Sequence, residues 1–146
     1  MKKLIIAAII AVSVAGSAFA APTASVNYNV LSSFKSAFKG AADVQWTIKQ
    51  DFVKASFIIN NERIEAFYSQ DGEEIGTSKV ISLDAMPVDA KRAFAKLYSN
   101  YNVKEAIHFK AAEENAYYIS AENEKETVII KVGENNQVSV FSQTSK

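Results

Sequence analysis

The chain has no cysteine, one histidine and two prolines in 146 residues. Without cysteine there can be no disulfide, no thiol nucleophile and no thiolate metal site. A lipid-modified cysteine after a cleaved leader is excluded as well. Long apolar runs are also missing: the stretch from Leu4 to Ala15 falls short of the roughly 20 residues that span a bilayer. Nor is there an excess of one charge, since 16 basic side chains face 16 acidic ones. Interspersed, balanced signs argue against nucleic acid and against a basic membrane-binding surface.

What is present begins with a leader. Lys2 and Lys3 precede the apolar run, Gly16 and Ser17 follow it, and Ala18-Phe19-Ala20 is a small-x-small pattern before Ala21 and Pro22. This order reads as a cleaved export signal over residues 1–20. The product is expected to be periplasmic or secreted, with no stable membrane anchor. Loss of Lys2 and Lys3 leaves 14 basic against 16 acidic side chains, a net charge of −2. Residues 21–146 suit one domain with a real core, and nine Phe, six Tyr and one Trp (Phe19 alone lying in the leader) supply its bulk.

Those aromatic residues recur. Phe34 and Phe38 return 60 residues later as Phe94 and Tyr98. Around each pair the order is the same, a short amphipathic helix followed by four strand-length runs. The first helix is expected over Asn29–Lys39, closed by Gly40. The strands Val44–Ile48, Phe52–Ile59, Arg63–Ser69 and Glu74–Ser82 follow, with turns at Asn60-Asn61 and Asp71-Gly72. Asp71-Gly72 is the stronger hairpin signal, of the type whose two central residues both need positive φ. Pro87 opens the second helix, which runs to about Ser99. Strands over Val103–Lys110, Ala116–Glu122, Thr127–Val132 and Gln137–Gln143 complete the second set, with Gly133-Glu134-Asn135-Asn136 standing where Asp71-Gly72 stood. Short turns between strands require antiparallel pairing. The expectation is one α+β domain over 21–146, made of two repeats at about 28–82 and 87–143.

Phe34-x3-Phe38, Val44-x-Trp46, Ala66-Phe67-Tyr68 followed by Asp71-Gly72, and Met86-Pro87 at the second helix form a pattern. It resembles the PepSY-like, β-lactamase-inhibitor-like secreted proteins of bacteria across nearly all of residues 21–146. The resemblance implies the tandem fold of the β-lactamase inhibitory proteins (the BLIP-like fold): two helix-plus-four-strand units forming one curved antiparallel eight-stranded sheet, with both helices on one face. Function transfers less well. The inhibitory proteins carry disulfides and bind a lactamase on the open sheet face, whereas this chain has no cysteine, and its second-half turn departs from Asp-Gly.

Catalytic signals are weak. His108 is expected on the open sheet face beside Lys104 and Lys110, but no nucleophile or orienting acid accompanies it in sequence. One imidazole without thiolates lacks the ligand count of a zinc site. Asp71, Glu73 and Glu74 lack the alternating acidic positions of a calcium loop and read as a hairpin turn. Glu113-Glu114 and Glu122–Glu126 read as solvated loops, and no local motif favours the paired carboxylates of a glycosidase. No catalytic residue, metal or cofactor is expected.

Strand alternation gives a better candidate. If Val53, Ala55, Phe57 and Ile59 face the helices, Phe52, Lys54, Ser56 and Ile58 face away. If Ile64, Ala66 and Tyr68 face inward, Arg63, Glu65 and Phe67 do not. Likewise Tyr117 and Ile119 leave Tyr118 outward, and Val138 and Val140 leave Phe141 outward. Phe52, Arg63, Phe67, His108, Tyr118 and Phe141 are therefore the expected partner-binding residues. The function expected is a non-enzymatic exported module that binds an envelope or exported protein or peptide, with enzyme inhibition as a narrower form. The alternative is a carrier or sensor of a small apolar ligand held between sheet and helices.

Overall fold

The first helix exists because Val30 and Phe34, four residues apart, can be buried on one side while Asn27 closes the end. The Asn27 side-chain oxygen accepts a hydrogen bond from the Asn29 N–H at 2.8 Å. This helix, α1, spans Tyr28–Ala37, and Gly40 follows at φ +87°. The structure, a computed structural model, describes residues 23–146. The leader expected over residues 1–20 lies outside the described residues.

α2 spans Val88–Tyr98, with Pro87 at its N-cap and Ala90 and Phe94 buried. A short 3-10 turn leads into each helix, Thr23–Ser25 before α1 and Leu83–Ala85 before α2. Along residues 31–40 the order of buried, half-buried and exposed positions is repeated residue for residue along 91–100. No described helix is long and apolar enough to cross a membrane.

The strands are β1 Ala42–Ile48, β2 Val53–Ile59, β3 Glu62–Tyr68, β4 Glu74–Ile81, β5 Asn102–Ala111, β6 Glu114–Glu122, β7 Glu126–Gly133 and β8 Val138–Ser145. They form an eight-stranded antiparallel sheet in the order β1-β2-β3-β4-β5-β6-β7-β8. Two helices and this open sheet are the α+β architecture expected from the repeat. The chain divides into two compact units, the first ending at Lys79 and the second spanning Val80–Lys146.

In the first unit α1 packs on Trp46, Val53, Ala55, Phe57, Ala66 and Tyr68. Phe34 meets Trp46 edge-on at 5.1 Å and Phe57 at 5.0 Å. Rings at these separations add about 0.5–1.5 kcal/mol per pair beyond the burial of their area. In the second unit Met86, Ala90 and Phe94 pack on Ala106, Ile119, Ala121, Val128, Ile130 and Val132.

The hairpins differ from expectation in one respect. Asn60 (φ 51°) and Asn61 (φ 67°) are both left-handed, so the two-residue turn with two positive φ values joins β2 to β3. At Asp71-Gly72 only Gly72 is left-handed, at φ +92°. There the Gly72 N–H reaches the Ser69 carbonyl at 3.1 Å and the Ser69 N–H reaches the Glu73 carbonyl at 2.8 Å. This is the longer hairpin, in which one left-handed residue ends a type I turn. Gly133–Gln137 has the same bonds, Asn136 to Gly133 at 2.9 Å and Gly133 to Gln137 at 3.0 Å, with Asn136 at φ 59° in the place of Gly72.

β8 is last in the sheet order. Val138–Ser145 contains neither a charged residue nor proline, and a bulge shifts its register where β7 passes from Ile129 to Ile130. Ser142 pairs with Ile129 and Val140 with Ile130, leaving Phe141 as the extra residue.

Candidate partner-binding faces

Each unit has a sheet face that its helix does not use. Phe52, Lys54 and Phe67 are absent from the α1 cluster, and Ile107, Phe109 and Tyr118 are absent from the α2 cluster. The expected alternation therefore assigns Phe52, Phe67 and Tyr118 to the correct side. Their accessibility is corrected. In the 146-residue chain Phe52 is 2% exposed, Phe67 0% and Tyr118 1%, so they are tightly packed rather than an open patch.

Local packing in the first unit accounts for part of this burial. Phe67 stands opposite Gly76 of β4, which presents no side chain to hold the ring off the sheet, and Phe52 meets it edge-on at 5.7 Å. Lys54, opposite Phe67 on β2, is buried too, with its ammonium 2.7 Å from Glu65 Oε1. Such a pair adds little net stability, but removing one partner leaves an uncompensated charge at a cost of about 3–5 kcal/mol. Arg63 remains exposed, and its guanidinium donates to Ser56 Oγ at 3.3 Å.

In the second unit everything centres on Tyr118. Phe141 meets its ring edge-on at 5.1 Å and Phe109 at 6.3 Å. Lys131 Nζ lies 5.8 Å from the ring centroid and 2.6 Å from Glu114 Oε1, and the Tyr118 hydroxyl donates to that same oxygen. Burial, and then the bond to Glu114, hold the Tyr118 hydroxyl well above the usual phenol range, so it stays a neutral donor. Phe141 is half-buried and is the accessible ring of this group.

His108 is on the other side from the one expected. A bulge in β5 between Val103 and Glu105 breaks the alternation, so that Val103 and Ala106 both join the α2 cluster. His108, two residues on from Ala106, stacks on Tyr117 of that cluster at 4.6 Å. Its Nε2 lies 2.6 Å from Asn115 Oδ1. Glu114, expected in a solvated loop, instead lies in β6 and anchors Tyr118 and Lys131. Glu122 pairs with Lys104 at 2.7 Å and Lys146 at 3.0 Å, and Glu126 accepts from Tyr101 and Gln143.

Among the described residues no group of three or more His, Asp or Glu side chains is placed to hold a metal. What the faces offer to a partner chemically is one accessible ring, Phe141, and one exposed guanidinium, Arg63, each over a packed aromatic floor, residue types common at the anchors of interfaces.

No family model matches the chain, and no curated protein matches it. Solved structures do. A Bacteroides eggerthii protein assigned provisionally to the periplasm is similar at TM-score 0.72 and 18% identity, over 82% of this chain and 88% of that one. A DUF2874 family protein from Bacteroides ovatus is similar at TM-score 0.72 and 18% identity, over 81% and 86%. A BLIP-like protein from Bacteroides fragilis is similar at TM-score 0.71 and 15% identity, over 82% and 85%. Likeness at such identities concerns architecture alone, and the architecture of this chain is BLIP-like.

Proposed function

We propose that the chain is an exported, non-enzymatic binding module that holds a protein or peptide partner against the strand face that each unit's own helix leaves free. The observation that carries this reading is what stays accessible on those faces: Phe141, half-buried and edge-on against Tyr118 in the second unit, and the exposed Arg63 guanidinium beside Ser56 in the first. Phe141 is held by the Tyr118 ring, which Glu114 fixes in turn, and a ring held in place before binding loses less entropy on binding. Periplasmic residence is supported by the leader pattern and by the description of the similar B. eggerthii protein. Kinship with the PepSY-like proteins rests on the aromatic and turn positions. Enzyme inhibition is the narrower form and rests on the BLIP-like fold alone.

The test is affinity capture from envelope extract with residues 21–146 as bait, comparing Arg63→Glu and Phe141→Ala with Leu97→Ser. Leu97 is 60% exposed and lies on α2. A partner retained by Leu97→Ser and lost by either face variant supports the reading; a partner lost only by Leu97→Ser, or by none of the three, overturns it.

A further inference from the structure

The two units share one scaffold, so a feature present in one and filled in the other is informative. In the first unit an open cleft of about 380 Å³ lies between the end of α1 and the start of β1. Leu31, Phe34, Phe38, Val44 and Trp46 line it, and Lys35 and Lys39 are the charged residues beside them. Both lysines are exposed. Among the described residues no carboxylate lines the cleft, and neither lysine has a carboxylate partner.

Sixty residues on, the rings are kept as Phe94 and Tyr98, but the rest has changed. Ala41, which lines the cleft, corresponds to Tyr101, whose ring packs edge-on against Tyr98 at 5.3 Å and whose hydroxyl is held by Glu126. Lys35 and Lys39 correspond to Ala95 and Ser99, and Trp46 to Ala106. The second unit therefore has a bulky ring where the first has open space, and no charge where the first has two lysines.

Unfilled apolar surface forfeits packing, and concave apolar surface with a few placed charges is the usual form of a small-ligand site. Two ammonium groups beside an aromatic floor select an anion with an apolar body. The partial negative charge at the end of α1, about half an elementary charge, is outweighed by two full ones. We propose that this cleft binds a small amphipathic organic acid, its alkyl or aryl body against Phe34, Phe38 and Trp46 and its carboxylate between Lys35 and Lys39. The site uses neither Phe52, Phe67 nor Tyr118, so it stands or falls apart from the partner-binding reading.

Trp46 is the only tryptophan in the chain, so its fluorescence reports on the cleft directly. Residues 21–146 are titrated with octanoate, octanol and octylammonium. The expected result is a saturable change with octanoate, weaker binding of octanol and none of octylammonium. Lys35→Gln with Lys39→Gln should raise the octanoate Kd at least fivefold, and Ala41→Tyr should abolish binding with the melting temperature kept. Arg63→Glu should bind octanoate as the parent does. Absence of saturable binding at millimolar octanoate, equal affinity for the amine, or an unchanged Kd in the double lysine variant would each overturn the proposal.

Discussion

Gly72 and Asn29 touch through their backbones: a Cβ on Gly72 would fall 2.7 Å from the Asn29 carbonyl carbon and 2.8 Å from its Cβ. The β3–β4 hairpin tip is thereby seated on the first turn of α1. Ser33 fixes it there by donating its hydroxyl to the Gly72 carbonyl at 2.8 Å. In the second unit Ala93 occupies the place of Ser33 and Asn136 that of Gly72, so the same turn lacks this bond. Gly72→Ala should lower stability by about 1–3 kcal/mol for the left-handed backbone alone, and by more for the overlap with Asn29. Urea midpoints measure it. Asn136→Gly should leave the midpoint nearly unchanged, and a Gly72→Ala loss no larger than that of Asn136→Ala would show that the contact with Asn29 carries no weight.

The two most buried tyrosines should respond oppositely to loss of their hydroxyls. Tyr68 is fully buried and its hydroxyl has no hydrogen-bond partner among the described residues, and burial holds that hydroxyl well above the usual phenol range. Tyr118 donates to Glu114. Tyr68→Phe should be neutral or stabilising by up to about 1 kcal/mol, whereas Tyr118→Phe should lose about 1.5–3 kcal/mol, the range for a hydrogen bond to a charged group. Denaturant unfolding of both variants decides it, and equal losses would contradict the assignment.

Acid should weaken the second unit through two carboxylates. Bonds from Lys104 and Lys146 pull the Glu122 carboxyl below its ordinary value of 4.5, and bonds from Tyr101 and Gln143 do the same for Glu126. A carboxyl whose pKa is lower folded than unfolded binds more protons when unfolded, so stability rises with pH across the interval. The contribution is complete above about pH 4.5 and is lost as pH falls through the folded values. Unfolding midpoints from pH 6 to pH 3 should show this loss, and Glu122→Gln with Glu126→Gln should flatten the slope.

The β2–β3 turn gives a sharper backbone test. Asn60 and Asn61 are both left-handed, a conformation that glycine adopts freely and that a β-branched residue resists. Asn61→Gly should hold or raise the thermal midpoint, and Asn61→Val should lose about 1–3 kcal/mol. Equal effects would mean that the turn relaxes to another form.

Periodicity read most of the fold because burial enforces it. Val30 with Phe34 and Ala90 with Phe94 place one helix face, and the strict alternation through Val53, Ala55 and Phe57 leaves one sheet register that buries them. Failure came where one inserted residue changes parity. Nothing in Val103-Lys104-Glu105-Ala106 announces the β5 bulge, so His108 was expected on the wrong face. Burial of Phe52 and Phe67 was hidden for a different reason, since alternation gives the side of a sheet and not what packs there. The pairing of Glu114 with Tyr118 and Lys131 joins separate strands, and no short-range pattern reveals it. The turn geometry at Asn60-Asn61 was within reach, because asparagine tolerates positive φ better than most residues.

The bulge at Phe141 also guards the chain against its own copies. β8 is an uncharged, proline-free strand at the end of the sheet order, and such edges template aggregation by pairing with a second chain. Because Phe141 is inserted between the pairs Val140–Ile130 and Ser142–Ile129, an incoming strand meets two short ladders, Val138–Val140 and Ser142–Ser145, out of step with each other. Deleting Phe141 would join them into one continuous template, on which strands of further copies could stack as fibrils.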